Sequence, residues 1–486
     1  MTSQQLVIVS NRLPVAIKES AEGWKIASSP GGLVTAMGQM MSKARGLWIG
    51  WPGCTDDAPA AELIAELRDI PYDLEPVLLN EEQIDRFYAG LSNKTLWPLF
   101  HDLLGHFSFR TENWTTYVDV NHLFANAVMR RAEAGSFIWV HDYHLILLAK
   151  FLRERGLQQY LSFFLHIPFP SPDMFRRLPV GRELLEALLQ FDHLGFQSAR
   201  DRRNFVQCVK FMIPEARRIS YKRQSLLQYE GRQIKIGYYP ISIDFGEFDG
   251  TARTREVADA AWYLHENLHS PSLMLGLDRL DYTKGIPERF LAFERALEKY
   301  EELREMISLI QIVVPSRLDV SEYQDLKDEL DALSGRINGR FTRHGWIPIH
   351  YQFRTLERVQ LLAHYRACEA ALVTPLRDGM NLVAKEYCAS NVDGRGVLIL
   401  SEFAGAARQL HKGAILVNPY DLDATADAIY RAYVMDPEER ARRMTTLRRE
   451  VRNHDVSRWV RWFMGEETIR FSDDEPESRP SEEQSS

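Results

Sequence analysis

The sequence predicts an α/β protein built as two lobes that face each other across a cleft. Short apolar runs recur at residues 6–9, 137–140, 161–165, 273–277, 307–314, 397–400 and 414–417, the pattern of buried parallel strands. Segments of helical period, such as residues 287–300 and 356–368, lie between several of them, and strand–helix alternation implies right-handed βαβ units. The length of 486 residues exceeds one ordinary hydrophobic core, so at about 100–200 residues per domain the chain divides into two or three units.

Composition sets the outer bounds. With 45% hydrophobic and 26% charged residues the chain is of globular type. A formal charge of -8 argues against a nucleic-acid partner, so any phosphate site must be a local gathering of Arg and Lys. Cys54, Cys208, Cys368 and Cys388 are too scattered for a zinc motif or a disulfide framework, which suits a reducing, cytoplasmic setting. No basic segment with an apolar stretch behind it opens the chain, and no 18 consecutive apolar residues occur, so no membrane association is expected. Residues 471–486 are Ser, Glu, Asp and Pro with almost nothing apolar, an acidic tail expected to be disordered.

Taken in order, the strand ends carry the chemistry. The first strand, 6–9, runs into Ser10-Asn11-Arg12, and Pro30, Gly31 and Gly32 open a helix expected over 34–44. Paired glycines there let backbone amides approach an anion at a helix N-terminus, although Gly-Gly is also an ordinary turn. Trp48, Trp51, Tyr88 and Trp97 offer flat walls for a sugar ring or simply core. His141, Asp142, Tyr143 and His144 follow the strand at 137–140, and His166 follows that at 161–165. The set could ligate a metal, but the spacing is unspecific, and a polar sugar pocket with Asp142 on hydroxyls and His166 near the reacting carbon is the better reading.

A lobe boundary is expected over 240–251, between a strand at 234–239 and a helix at 253–268. Beyond it, Arg279 and Lys284 follow the strand at 273–277, a fork and a point charge suited to a diphosphate and to the charge growing on a leaving group. Arg317 repeats the arrangement after the run at 307–314. The stretch Arg377 to Glu386 reads as a loop entering a helix. Gly379 allows close approach, Asn381, Leu382 and Val383 offer free amides, and Asp378 and Glu386 can accept from hydroxyls. No GxGxxG follows a strand, which sets a dinucleotide dehydrogenase aside.

Together, SNRLPV, GGL, GLWIGWPG, WVHDYHL, FFLHIPFPSP, RLDYTKGIPERF, SGRINGRF, VTPLRDGMNLVAKEY and LSEFAGAA closely resemble the trehalose-6-phosphate synthase family, from about residue 6 to residue 465. The resemblance implies a GT-B fold of two Rossmann-like lobes, with no cofactor and no metal. It implies an acceptor lobe over 1–245, a donor lobe over 246–455 and a C-terminal helix within 456–470 returning to the first lobe.

By the same resemblance, Arg12, Tyr88, Trp97 and Arg317 would meet the phosphate of glucose 6-phosphate, and Trp48, Asp142 and Tyr143 its ring. Gly31, Gly32, Arg279, Lys284, Leu356, Asp378, Gly379, Met380, Asn381, Leu382, Val383, Ala384, Lys385 and Glu386 would serve a nucleotide glucose. Arg279, Lys284, His166 and Asp142 form the implied catalytic set. The implied reaction is front-face and retaining, with UDP-glucose the first choice of donor and the base left open. A relative with another acceptor, such as glycerol 3-phosphate or a cyclitol, and a non-catalytic sugar-phosphate sensor are the rival readings. A homo-oligomer is left open. Ser242 departs from the glycine usual in the family.

Overall fold

The computed structural model describes residues 4–20, 23–28, 37–38, 41, 46–67, 70–220, 225–268, 270–317 and 320–465. Two sheets organise them. The first has nine strands, with Leu6–Arg12 well inside it. On one side of that strand lie Leu47–Trp51 and Asp73–Pro76; on the other, Phe137–His141, Tyr160–Phe164, His193–Phe196 and Arg232–Tyr238 all run parallel to it. Ser225–Tyr229 and Arg217–Ser220 close the far edge antiparallel. The second sheet is wholly parallel, in the order Ile349–Phe353, Ile307–Val314, Ser272–Arg279, Ala370–Val373, Val397–Ser401 and Ile415–Val417. Strands covered on both faces must be apolar throughout, which is why six successive residues from Leu6 to Asn11 are buried and why the sequence shows runs rather than alternation.

Helices fall near the expected places, with ends set by local chemistry. The helix expected over 287–300 is Ile286–Lys299, entered through Gly285 in the left-handed region at φ 61°, where a β-carbon would stand 2.4 Å from the Thr374 carbonyl oxygen. The helix expected over 356–368 begins later, at Arg358, because Glu357 and Gln360 form a capping box. The expected boundary stretch is itself partly helical, Phe245–Ala252. Asp244 accepts from the Glu247 amide and starts that helix, and Thr254 caps a second one, Arg255–Asn267. The helix expected over 34–44 falls largely outside the described residues, as does the acidic tail.

The helix Val456–Met464 lies on the first sheet although it follows the second in the chain. Trp139 stacks on Trp459 and Phe463 at ring separations of 5.2 and 4.3 Å, and Trp459 Nε1 donates to the Tyr239 carbonyl at 3.1 Å. Truncating one such buried aromatic costs about 3–5 kcal/mol. Among the described residues no helix is long and apolar enough to cross a membrane.

Candidate active site

Parallel strands end on one side of each sheet, and here the two sets of carboxyl ends face each other. Arg12, His141, His166, Gln197 and Ile241 stand at or just past the ends of first-sheet strands, and Arg279, Arg317 and Asp378 at those of the second. Between them lies a cleft of about 610 Å³. Ligands of open α/β sheets bind at such strand ends.

One part of the cleft is a cage of aromatic rings and arginines. The Arg12 guanidinium lies 3.9 Å from the centre of the Trp51 ring and that of Arg317 4.4 Å from the Trp97 ring. Stacking holds each fork flat while leaving its edge open. Arg317 sits at φ 53° and donates to the Tyr323 hydroxyl, with Asp281 3.6 Å away. Tyr88 faces both guanidinium groups. Burial alone would raise its phenol, but Arg317 and Arg12 outweigh that and draw it down to about 8. Two cations from different sheets thus converge on one site, the arrangement that fits a dianion.

The second sheet supplies another cationic wall. Arg279 ends its strand and, among the described residues, pairs with no carboxylate. Lys284 Nζ meets Asp378 Oδ2 at 2.6 Å. Burial would raise the Asp378 carboxyl, yet Lys284 holds it below the ordinary range. Behind them Asp278 pairs with Arg289, which also bonds Thr374 and Gln311 and so fixes three neighbouring strands. Asn381 sits at φ 74° and its side chain accepts from the Ala384 amide, which turns the amides of the following helix start toward the cleft.

Where the lobes touch, burial favours the neutral forms of the floor's ionisable groups. Asp142, at φ 72°, accepts from the His166 amide at 3.2 Å, and burial pushes its carboxyl up to about 7. His166 Nε2 faces His141 Nδ1 at 3.1 Å, and burial lowers His166 to about 3, so the imidazole is neutral. Gly379 rides on the same residue: a β-carbon there would stand 2.2 Å from the His166 carbonyl oxygen. Left-handed backbone costs about 1–3 kcal/mol at a residue other than glycine, and its presence at Asp142, Arg317 and Asn381 marks a site whose geometry the surrounding fold enforces.

Of the residues singled out from sequence, Arg12, Trp48, Tyr88, Trp97, Asp142, Tyr143, His166, Arg279, Lys284, Arg317, Asp378, Met380, Asn381, Leu382, Val383 and Glu386 line this one cleft. Gly31 and Gly32 lie outside the described residues. Others are not on the lining, Trp51 among them, although Arg12 stacks on its ring. Leu356 packs half-buried against the core, Ala384 is buried, and so is Lys385, its ammonium donating to the Ile241 carbonyl at 2.7 Å. Gly379 supports the wall through its backbone. Lys385 is off the lining because successive residues of a helix point about 100° apart, so Glu386 and its predecessor cannot share a face.

The cleft also holds residues that sequence reasoning passed over: Ser10, whose hydroxyl accepts from Trp48 Nε1 at 2.8 Å, and Gln197, whose amide oxygen accepts from the Ile241 amide. His101 belongs here too, although it follows no strand and so carried no signal. Among the described residues no three His, Cys, Asp or Glu side chains gather as a metal site would need.

Comparison with known proteins agrees with this geometry. The family model described as glycosyltransferase family 20 matches residues 4–467. A trehalose-6-phosphate synthase from Mycolicibacterium smegmatis is 42% identical over 95% of this chain and 92% of its own. The alpha,alpha-trehalose-phosphate synthase [UDP-forming] A of Dictyostelium discoideum is 39% identical over 96% of this chain, which spans 62% of that longer protein. Among solved structures, an alpha,alpha-trehalose-phosphate synthase (UDP-forming) from Burkholderia xenovorans in complex with glucose-6-phosphate superposes with a TM-score of 0.86 at 37% identity, covering 95% of this chain and 99% of that one. The two facing α/β lobes are those of a GT-B enzyme, and the chain belongs to glycosyltransferase family 20.

Proposed function

We propose that this chain transfers glucose from UDP-glucose to glucose 6-phosphate, giving α,α-trehalose 6-phosphate and UDP. The observation that carries the proposal is the pair of guanidinium groups, Arg12 on Trp51 and Arg317 on Trp97, that come from different lobes and act together on Tyr88. The names of the relatives support the same substrates.

In this reading residues 1–245 bring most of the acceptor site and 246–455 the donor site, with Arg317 reaching across. Arg12, Arg317, Tyr88 and Trp97 hold the acceptor phosphate, and Trp48, Asp142 and Tyr143 its ring. Arg279 and Lys284 hold the donor diphosphate, and Leu382, Val383 and Glu386 its neighbouring phosphate and ribose.

The transferred glucose lies against His166, Asp378, Met380 and Asn381. As the glycosidic bond breaks, the diphosphate oxygen takes the acceptor hydroxyl's proton on the same face, so configuration is retained. Arg279 and Lys284 stabilise the charge left on it. In this reading neither carboxylate is the nucleophile: Asp142, raised by burial to about 7, accepts from the His166 amide and binds the acceptor ring, and Asp378 is held by Lys284. With this charge supplied by side chains, the reaction runs without a metal, in the cytoplasm.

A panel of UDP-, ADP- and GDP-glucose with glucose 6-phosphate or glycerol 3-phosphate, read by product mass with and without EDTA, tests the proposal. Diphosphate release that depends on glucose 6-phosphate is expected, greatest with UDP-glucose and unchanged by EDTA. No product from any nucleotide glucose would refute it.

A further inference from the structure

His101 ends the short helix Trp97–Phe100, lines the cleft, and has no role in the reaction as described so far. Its ring lies on the Trp97 ring with centroids 4.3 Å apart, and its Nδ1 is 2.7 Å from the Trp97 carbonyl oxygen. A carbonyl only accepts, so Nδ1 carries the proton. The residue is 2% exposed. Burial lowers the imidazole to about 4, so Nε2 bears no second proton near neutral pH. Among the described residues no hydrogen bond to Nε2 is found, so its lone pair is the acceptor that this cleft-lining ring has left for a ligand. The charges it feels are those of Asp281, Asp378 and Lys284, which places it beside the cationic wall and next to Trp97.

A fixed lone pair there selects by chemistry. It repels phosphate and carboxylate oxygens, which carry only lone pairs of their own, and it accepts from a hydroxyl. The charges beside it are mixed, Lys284 with the carboxylates of Asp281 and Asp378, so a hydroxyl, which both donates and accepts, is the ligand group that suits this corner. We infer that His101 accepts a hydrogen bond from one hydroxyl of the transferred sugar and so acts as a specificity-determining residue for the donor. The inference rests on the proposed donor reading, since it places the sugar against Asp378.

The test is calorimetric binding of UDP-glucose and its 2-, 3-, 4- and 6-deoxy analogues to the wild type, His101→Phe and His101→Gln. Phenylalanine keeps the stacking on Trp97 without the acceptor; the glutamine carbonyl can still accept. One neutral hydrogen bond corresponds to about a three- to tenfold change in Kd. In the wild type one deoxy analogue should bind weaker than UDP-glucose by that factor. His101→Phe should lose discrimination at that hydroxyl alone, and His101→Gln should keep part of it. Unchanged discrimination at every hydroxyl in a folded His101→Phe, or ring ¹⁵N shifts showing an imidazolium in the UDP-glucose complex, would overturn the inference while leaving the donor reading intact. A wild type that binds no UDP-glucose overturns the donor reading and the inference with it.

Discussion

Lys284 Nζ stands 2.6 Å from Asp378 Oδ2, so a cation facing the cleft is neutralised by its neighbour before any ligand arrives. On the proposed reading a donor diphosphate shares Lys284 with a carboxylate that already holds it in place, which orients the ammonium in advance of binding.

Lys284→Ala is expected to lower kcat by about 10²- to 10³-fold, the loss typical of removing one preorganised charge-stabilising donor. It should also destabilise the fold by roughly 3 kcal/mol, because Asp378 is left charged and largely buried. Combining it with Asp378→Asn should recover much of the stability and none of the activity. Denaturant unfolding and steady-state turnover on the three variants check both halves.

Arg317→Ala should weaken use of glucose 6-phosphate by about ten- to a hundredfold, given roughly 1.5–3 kcal/mol for a charge-assisted hydrogen bond. Arg317→Lys should recover little, because an ammonium cannot lie flat on Trp97 as the guanidinium does at 4.4 Å. Acceptor kcat/KM with the donor saturating is the measurement.

Asp142 gives a pH signature. Its folded carboxyl titrates at about 7 against an ordinary 3.8 because it is buried. A raised folded value means that its stabilising contribution is complete below the unfolded value and is lost as pH rises toward 7. Compared with Asp142→Asn, the wild type should therefore lose relative stability between about pH 4 and pH 7, with a slope of up to about 1.4 kcal/mol per pH unit. The buried histidines, His166 among them, titrate in both proteins and cancel in the difference. Thermal or urea unfolding of the pair across that range reads it directly.

Gly379→Ala should lower kcat at least tenfold with little change in Tm. Its methyl group would stand 2.2 Å from the His166 carbonyl oxygen, and lobes that separate slightly can relieve the clash at the expense of the reacting geometry. Turnover and a melting curve on one preparation distinguish this from misfolding.

Much of this site was legible because parallel strands write themselves as apolar runs and because the residue after each run is delivered to the same edge. Arg12, His166, Arg279 and Arg317 were all found that way. What failed to show was whatever depends on winding or capping. Tyr88 was named only as wall or core until the resemblance gave it the phosphate, because it reaches the cleft from the loosely wound π-helical segment Ile84–Leu96, whose pitch no periodicity argument anticipates. His101 is delivered by a four-residue helix too short to carry a pattern. Lys385 was grouped with Glu386 because a linear motif does not distinguish helix faces, although its ammonium is buried and held by the Ile241 carbonyl. The helix Phe245–Ala252 was missed because its glycines suggested a linker, whereas the Asp244 cap starts it.

The return of Val456–Met464 to the first sheet also sets a timetable for synthesis. Trp139, Phe164, His193 and Tyr239 lie on or just past first-sheet strands, yet their cover, Trp459 and Phe463, is translated long after them. At about 5–20 residues per second, more than 200 residues separate the two events, so a nascent chain carries a bare aromatic face for roughly 10–40 seconds. During that interval the ribosome-bound first lobe is a natural client for a chaperone, and a truncation before Val456 would leave it one permanently.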